Sequence, residues 1–193
     1  MQHEEAQRAV ALSPLDAFFG VLFRPTETFG QWKDEVPLAA ALGWLAFLAG
    51  NLAFVVAPAG IAGLLFTWLV VVSCLMFFWL LLAALVFVVG SFFGGRGGIF
   101  GVLGAVAYAF LPLILLAPIS AWWLAEGNSG AVGAAILSVL LWWGHALTAA
   151  VRGSMQLSGG QAALTLMGAE LAVVGIPALG SVLSVLALLL FVM

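Results

Sequence analysis

The chain is short of charge and of cysteine, and each shortage excludes a class of protein. Only 7% of its 193 residues are charged and 65% are hydrophobic, whereas a soluble domain carries roughly 25% charged residues. So little charge cannot cover the surface of a soluble globule of this length. The single cysteine, Cys74, excludes an intramolecular disulfide and a thiolate metal cluster. The composition therefore predicts that most of the chain lies in lipid.

Basic residues are also too few to make a nucleic-acid surface. Five Lys or Arg residues and a formal net charge of −3 give no extended positive face for a phosphate backbone. Residues 157–161 spell the signature of ATP-binding-cassette ATPases, but the only lysine, Lys33, stands in no phosphate-binding loop. We expect no nucleic acid, no ATP, no cofactor and no metal.

Long apolar runs fill the chain from residue 38 onward, and glycine, proline or polar turns separate them. Each run is near or above the roughly 20 residues that a membrane span needs. We therefore predict an all-α integral membrane protein in which residues 38–193 form a domain of five transmembrane helices. The predicted spans are Leu38–Ala57, Leu64–Val89, Ile99–Trp123, Ala131–Val151 and Ala162–Met193.

Two of these spans carry signals for a bend. Pro112 and Pro118 remove backbone donors from the third span and should bend it. The last run, at 1.5 Å per residue, reaches about 50 Å against a hydrocarbon core of about 30 Å. Either its first turns, which begin at a capping-box pattern of Ser158 and Gln161, lie along the interface, or the helix is tilted and broken near Pro177.

Residues 1–37 form a different segment, in which we predict one or two cytoplasmic amphipathic helices lying in the membrane interface. Ser13, Pro14 and Asp16 are typical of a helix start, and Pro25 separates the two helices. Both are too short to span a bilayer. Their apolar faces, which we expect to bind lipid or a partner, consist of Leu15, Phe18, Phe19, Leu22 and Phe23 in the first helix and Phe29 and Trp32 in the second.

The basic residues predict the orientation, because Lys and Arg are retained on the cytoplasmic side. With five spans, Arg8, Arg24, Lys33, Arg96 and Arg152 all fall on one face of the membrane. We therefore expect a cytoplasmic N-terminus and an external C-terminus. The preference for arginine over lysine, together with abundant Ala, Gly and Leu, is typical of a bacterium with a GC-rich genome. We therefore expect the membrane to be a bacterial inner membrane.

Three polar side chains inside the predicted spans are candidates for function. Placing the polar side chains of Asn51, His145 and Glu170 inside the bilayer costs free energy, so such residues are candidates for a functional role. In the functional interpretation, His145 and Glu170 either pair with each other or line a water-filled cavity, and they carry protons. In the other, the histidine makes a structural hydrogen bond and the glutamate lies at the interface.

A catalytic role is not expected. Gly127–Gly130 resembles the serine motif of intramembrane proteases, with His145 following. If one helix connects Ser129 to His145, the two lie about 24 Å apart along its axis, too far for a catalytic dyad. We predict that the protein is not an enzyme.

Short motifs resemble those of the YIP domain family, small five-span membrane proteins that interact with Rab-type GTPases in eukaryotes and also occur in bacteria. Residues 22–29, with Pro25 and Phe29, resemble the pattern that precedes the family's first span. Tyr108 and Pro112 are similar to the tyrosine and proline of its third span. The resemblance implies structural roles for these four residues and an interaction or scaffold role for the protein.

Two functions remain open at this point. The first is a membrane scaffold or adaptor that engages the lipid bilayer, or a membrane or cytoplasmic protein, through residues 13–36, with self-association as a further alternative. The second is a small proton-linked transporter or channel that uses His145 and Glu170.

Overall fold

A computed structural model describes residues 14–32, 38–56, 60–126 and 130–192, and every regular element in these ranges is a helix. Two short helices come first, and longer α-helices follow with a short 3-10 helix among them. They are α1 (Pro14–Phe23), α2 (Pro25–Gln31), α3 (Leu38–Val56), α4 (Ile61–Phe92), α5 (Ile99–Ala109), a 3-10 helix (Leu111–Leu115), α6 (Leu116–Glu126), α7 (Gly130–Met155) and α8 (Gly159–Val192).

Helices α1 and α2 form a hairpin whose break follows from proline. α1 begins at Pro14 and α2 begins at Pro25, which are positions where the missing backbone donor costs nothing. The Arg24 backbone N–H donates to the carbonyl of Gly20 over 2.7 Å. Gly20 lies so close to Thr28 that a Cβ at this position would come within 2.5 Å of the Thr28 hydroxyl. The two predicted helices are therefore present, joined by a tight turn.

Three helical stretches are long and apolar enough to cross a membrane. They are Ile61–Phe92, Ile99–Ala125 and Gly130–Met155. α3 has 19 residues and α8 has 34. α8 runs through Gly175 and Pro177 as one uninterrupted helix, so the structure does not show the break near Pro177 that one of the two alternatives contained. A proline removes one helical hydrogen bond, and a membrane helix tolerates that loss.

The middle stretch is broken at Pro112, as predicted. The helix tightens after α5, where the backbone N–H of Leu113 donates to the carbonyl of Phe110 over 3.0 Å. Pro118 lies in the first turn of α6, where a proline fits without loss. The apolar segment of each of the three stretches is buried inside the bundle to a different degree. The buried share is 61% in Ile99–Ala125, 22% in Ile61–Phe92 and 33% in Gly130–Met155. The broken stretch is therefore the centre of the bundle.

The packing is concentrated at one end of the bundle. In α4 the buried residues run from Trp79 to Gly90, whereas Ile61, Leu65 and Phe66 near its start are exposed. In α7 most of the buried residues lie from Ala146 onward, and all of α5 is enclosed from Gly101 except for half-buried Leu103. We call the end with residues 79–109 and 146–169 the packed half, and the end with residues 61–70, 121–125 and 130–141 the open half.

Candidate functional site at the packed end of the bundle

The turns after α4 and after α7 meet at the packed end. The backbone N–H of Arg96 donates to the carbonyl of Met155 over 3.0 Å. The side-chain amide of Gln161, at the start of α8, donates to the carbonyl of Phe93 over 3.2 Å. These two bonds place Arg96 and Arg152 at the same end of the bundle. Arg8 and Lys33, which are predicted to share this face, lie outside the described residues.

The α8 start is a complete capping box, which confirms the pattern read from the sequence. The backbone N–H of Ser158 donates to the Gln161 side-chain oxygen over 3.1 Å, and the backbone N–H of Gln161 donates to the Ser158 hydroxyl over 3.4 Å. Both donors would otherwise be unsatisfied at a helix start. Gln161 thus caps α8 and also ties it to the turn that follows α4.

Two glycines allow neighbouring backbones to touch at this end. A Cβ on Gly153 would lie 2.5 Å from the carbonyl oxygen of Phe29, and a Cβ on Gly97 would collide with the carbonyl of Ser154. The first contact docks α2 on the last turn of α7, and the second docks the α4–α5 turn on the same turn of α7. Gly97 begins a row of small residues at a spacing of four, continued by Gly101, Ala105 and Ala109, which is typical of close helix contact. No comparable pattern in the sequence marks Gly153. A glycine beside Arg152 near a helix end is the only sequence signal that could have indicated it.

The α1–α2 hairpin divides its apolar residues between the core and the surface. Leu15, Phe19 and Phe23 have 62%, 55% and 71% of their area exposed, and they lie four residues apart on one face of α1. We call these three residues the α1 row. Phe18 and Leu22 are half-buried against the core, and Phe18 packs on Trp44 of α3 with ring centroids 4.9 Å apart.

The structure corrects the assignment of Phe29 and Trp32 to an interfacial or partner-binding face, since both are buried in the bundle core. Trp32 packs against Phe29 at a centroid distance of 5.3 Å and against Tyr108 of α5 at 4.8 Å. Neither the Trp32 indole N–H nor the Tyr108 hydroxyl has a hydrogen-bond partner within the described residues, so the rings meet by edge-to-face packing. The contact holds the hairpin on the bundle.

All four positions with the resemblance-derived structural role are buried. Pro25 begins α2, Phe29 contacts Gly153, Tyr108 contacts Trp32, and Pro112 lies in the central 3-10 helix. These residues lie where the hairpin packs against α7 and the broken central stretch.

The three intramembrane polar candidates do not converge on one site. The Asn51 side-chain amide donates to the carbonyl of Phe47, one turn earlier in α3, over 2.9 Å. His145 on α7 and Glu170 on α8 are both exposed. No ion pair joins them in the described part of the chain, where Arg24 and Glu27 form the ion pair, with 3.8 Å between nitrogen and oxygen. A role for either in proton transfer stays a prediction.

An open groove of about 330 Å³ lies between α2 and the end of α7. Its lining residues come from α2, from the last turn of α7 and from the two residues after Met155, and are Thr26, Gly30, Arg152, Gly153, Gln156 and Leu157. Neither His145 nor Glu170 is among them.

The groove contains an unusual backbone conformation. Gln156 has φ of 55°, and in the described residues it is the one position other than glycine with positive φ. The N–H of Leu157 donates to the carbonyl of Arg152 over 3.1 Å, which makes Gln156 the left-handed residue that ends α7. Glycine is preferred at such positions, because a Cβ costs about 1 kcal/mol there.

A family comparison gives a match over most of the chain. The family model of the Yip1 domain matches residues 19–182. This range covers the hairpin from Phe19 onward and every longer helix except the last turns of α8. Neither a curated protein nor a solved structure gives a significant match.

Proposed function

The chain belongs to the Yip1 domain family, and on that premise we propose that it is an integral membrane scaffold or adaptor that engages its partner through α1. The observation that carries the proposal is the α1 row, since three large apolar side chains are exposed on a helix that the core already holds through Ala17 and Val21. A contiguous exposed apolar face on a fixed helix is typical of a membrane or protein contact. The proposed role needs no catalytic step.

The proposal includes five spans, formed by α3, α4, the broken stretch from α5 to α6, α7 and α8. α3 rises about 28 Å over its length at 1.5 Å per residue, close to the hydrocarbon core of about 30 Å. Arg96 and Arg152 lie at one end of the bundle, and the positive-inside rule makes that end cytoplasmic. We accordingly propose that the N-terminus lies inside the cell and the C-terminus outside, in a bacterial inner membrane. The proposed boundary between the N-terminal segment and the transmembrane domain lies between residues 37 and 38.

No observation favours the transport alternative, so we do not propose it. His145 and Glu170 are exposed and do not line the groove. The narrow cleft between α3 and the α5 region is lined by apolar residues, among them Leu45, Phe110 and Leu111.

The test is site-specific crosslinking with a matched control. A photo-crosslinker is placed at Leu15 in the full chain, in native membranes, and crosslinked products are identified by mass spectrometry. We expect a stoichiometric protein product, either a second copy of the chain or one partner, that disappears in the double variant Phe19→Ser/Phe23→Ser. The control is Phe92→Ser, because Phe92 is also highly exposed but lies at the end of α4.

Crosslinks to lipid alone, unchanged by the double variant, would contradict the scaffold proposal. Loss of the product in Phe92→Ser as well would show that exposed apolar area in general, and not the α1 row, makes the contact.

A further inference from the structure

The groove between α2 and α7 combines a cation with two neutral polar side chains. Arg152, Thr26 and Gln156 are all exposed and all line it. No carboxylate lines the groove, and the ion pair in the described part of the chain uses Arg24 rather than Arg152. The lining therefore carries a positive charge and favours an anion.

The arginine is not needed to satisfy the end of α7. The carbonyl of Arg152 accepts from Leu157, and the carbonyl of Met155 accepts from Arg96. Backbone donors thus already satisfy two of the last carbonyls of α7. This leaves the guanidinium available for a ligand, and its fork of donors suits phosphate oxygens in a bidentate arrangement.

Gln156 places a second polar side chain in the groove. Its left-handed backbone is strained, and glycine would relieve the strain at no cost to the end of the helix. Strained non-glycine residues are concentrated at functional sites, where the side chain has a role. Here the side chain lines the groove beside Arg152.

The position of the groove indicates the source of the anion. α7 is a membrane-spanning stretch, and Arg152 lies in its last turn, so the groove opens at the boundary between apolar core and headgroups. A volume of about 330 Å³ is at the lower end of the range of small-molecule sites, roughly 300–1,000 Å³. We propose that the groove binds the phosphate of an anionic phospholipid headgroup, with Arg152 as its cationic partner and with Gln156 and Thr26 as hydrogen-bond donors. This inference rests on the membrane topology proposed above, but not on a partner contact of the α1 row.

The test measures lipid retention by native mass spectrometry of the full chain, purified in mild detergent and titrated with phosphatidylglycerol or phosphatidylcholine. We expect wild type to retain phosphatidylglycerol in preference. Arg152→Gln should lose about tenfold in affinity, the size of one charge-assisted hydrogen bond. Arg96→Gln is the matched control, since Arg96 is exposed at the same end but lines no part of the groove. It should change the affinity less than about twofold.

Two further variants keep the proposal testable if Arg152→Gln folds poorly. Arg152→Lys keeps the charge but lacks the fork, so its affinity should fall between those of wild type and Arg152→Gln. Gln156→Gly should raise Tm by about 2–4 °C through relief of strain and at the same time weaken phosphatidylglycerol retention. A merely structural role for Gln156 would raise Tm and leave retention unchanged, which would overturn its part in the site.

A separate arm identifies the source of the phosphate. Excess inorganic phosphate should displace phosphatidylglycerol poorly, because the acyl chains add contacts with the bundle. If inorganic phosphate binds as tightly in an Arg152-dependent way, the ligand is a soluble phosphate and the lipid assignment is wrong. Equal losses in Arg152→Gln and Arg96→Gln would overturn the site itself, since general attraction to the basic end would then explain the binding.

Discussion

The two halves of the bundle have similar hydropathy but pack differently. Residues 61–70 of α4 are apolar apart from Thr67 and lie in the open half, whereas residues 79–90 of the same helix are as apolar and lie in the packed half. The packed half also contains Gly90, Gly97 and Gly153, each in close contact with a neighbour. Because lipid provides no hydrophobic force between helices, close contact depends on small residues and on polar anchors. Hydropathy places a helix in the membrane, and small residues decide where helices meet.

The largest expected effect comes from Trp32, which joins the hairpin to the packed half. Trp32→Ala removes the ring contacts with Phe29 and Tyr108 and should lower the free energy of unfolding by about 3 kcal/mol, as a large cavity in a core does. The measurement is an SDS titration followed by circular dichroism. Trp123→Ala is the control, because Trp123 is exposed in the open half, and it should change stability by less than about 0.5 kcal/mol. Similar losses of unfolding free energy in both variants would contradict the conclusion that the packed half is more tightly packed than the open half.

A pair of glycines on α7 makes the same comparison within one helix. Gly153→Ala places a methyl group against the Phe29 carbonyl and should cost about 1–3 kcal/mol. Gly133, in the open half, has nothing within 4 Å of where its Cβ would lie. Gly133→Ala should therefore stabilise the helix by up to about 1 kcal/mol. The thermal unfolding temperatures of the two variants should move in opposite directions, and a shared direction would contradict the docking of α2 on Gly153.

The smallest expected effect concerns the cap of α8. Ser158→Ala removes one side of the capping box and should cost about 1 kcal/mol. Ser138→Ala in the open half removes a hydroxyl that bonds only to its own helix, at the carbonyl of Ala134, and should change stability by less than about 0.5 kcal/mol. The measurement is again the SDS titration, and equal costs would show that the cap adds nothing beyond local helix bonding.

Local signals in the sequence predicted the elements well. Pro14 and Pro25 begin helices, Pro112 breaks the central stretch, and Ser158 and Gln161 form the capping box. Each of these depends on residues within one or two turns of one another, so one sequence is enough to predict them.

The tertiary contacts could not be predicted in the same way. An apolar helical face suits a lipid surface and a protein core equally, so the pattern in the hairpin did not separate Phe29 and Trp32, which are buried, from Phe19 and Phe23, which are exposed. The residues of α1 that enter the core are the smaller Ala17 and Val21. The groove was also missed, because Thr26 and Arg152 are far apart in the chain and come together only when α2 packs on the end of α7.

The contact between Phe29 and Gly153 also has a consequence for biosynthesis. The chain emerges from the ribosome N-terminus first, so the hairpin is complete long before the last turn of α7 exists to receive it. During that interval Trp32 can already pack on Tyr108 of α5, whereas the backbone of Phe29 has no Gly153 to contact. The docking of Phe29 on Gly153 can therefore be completed only after the first four of the proposed spans have been made.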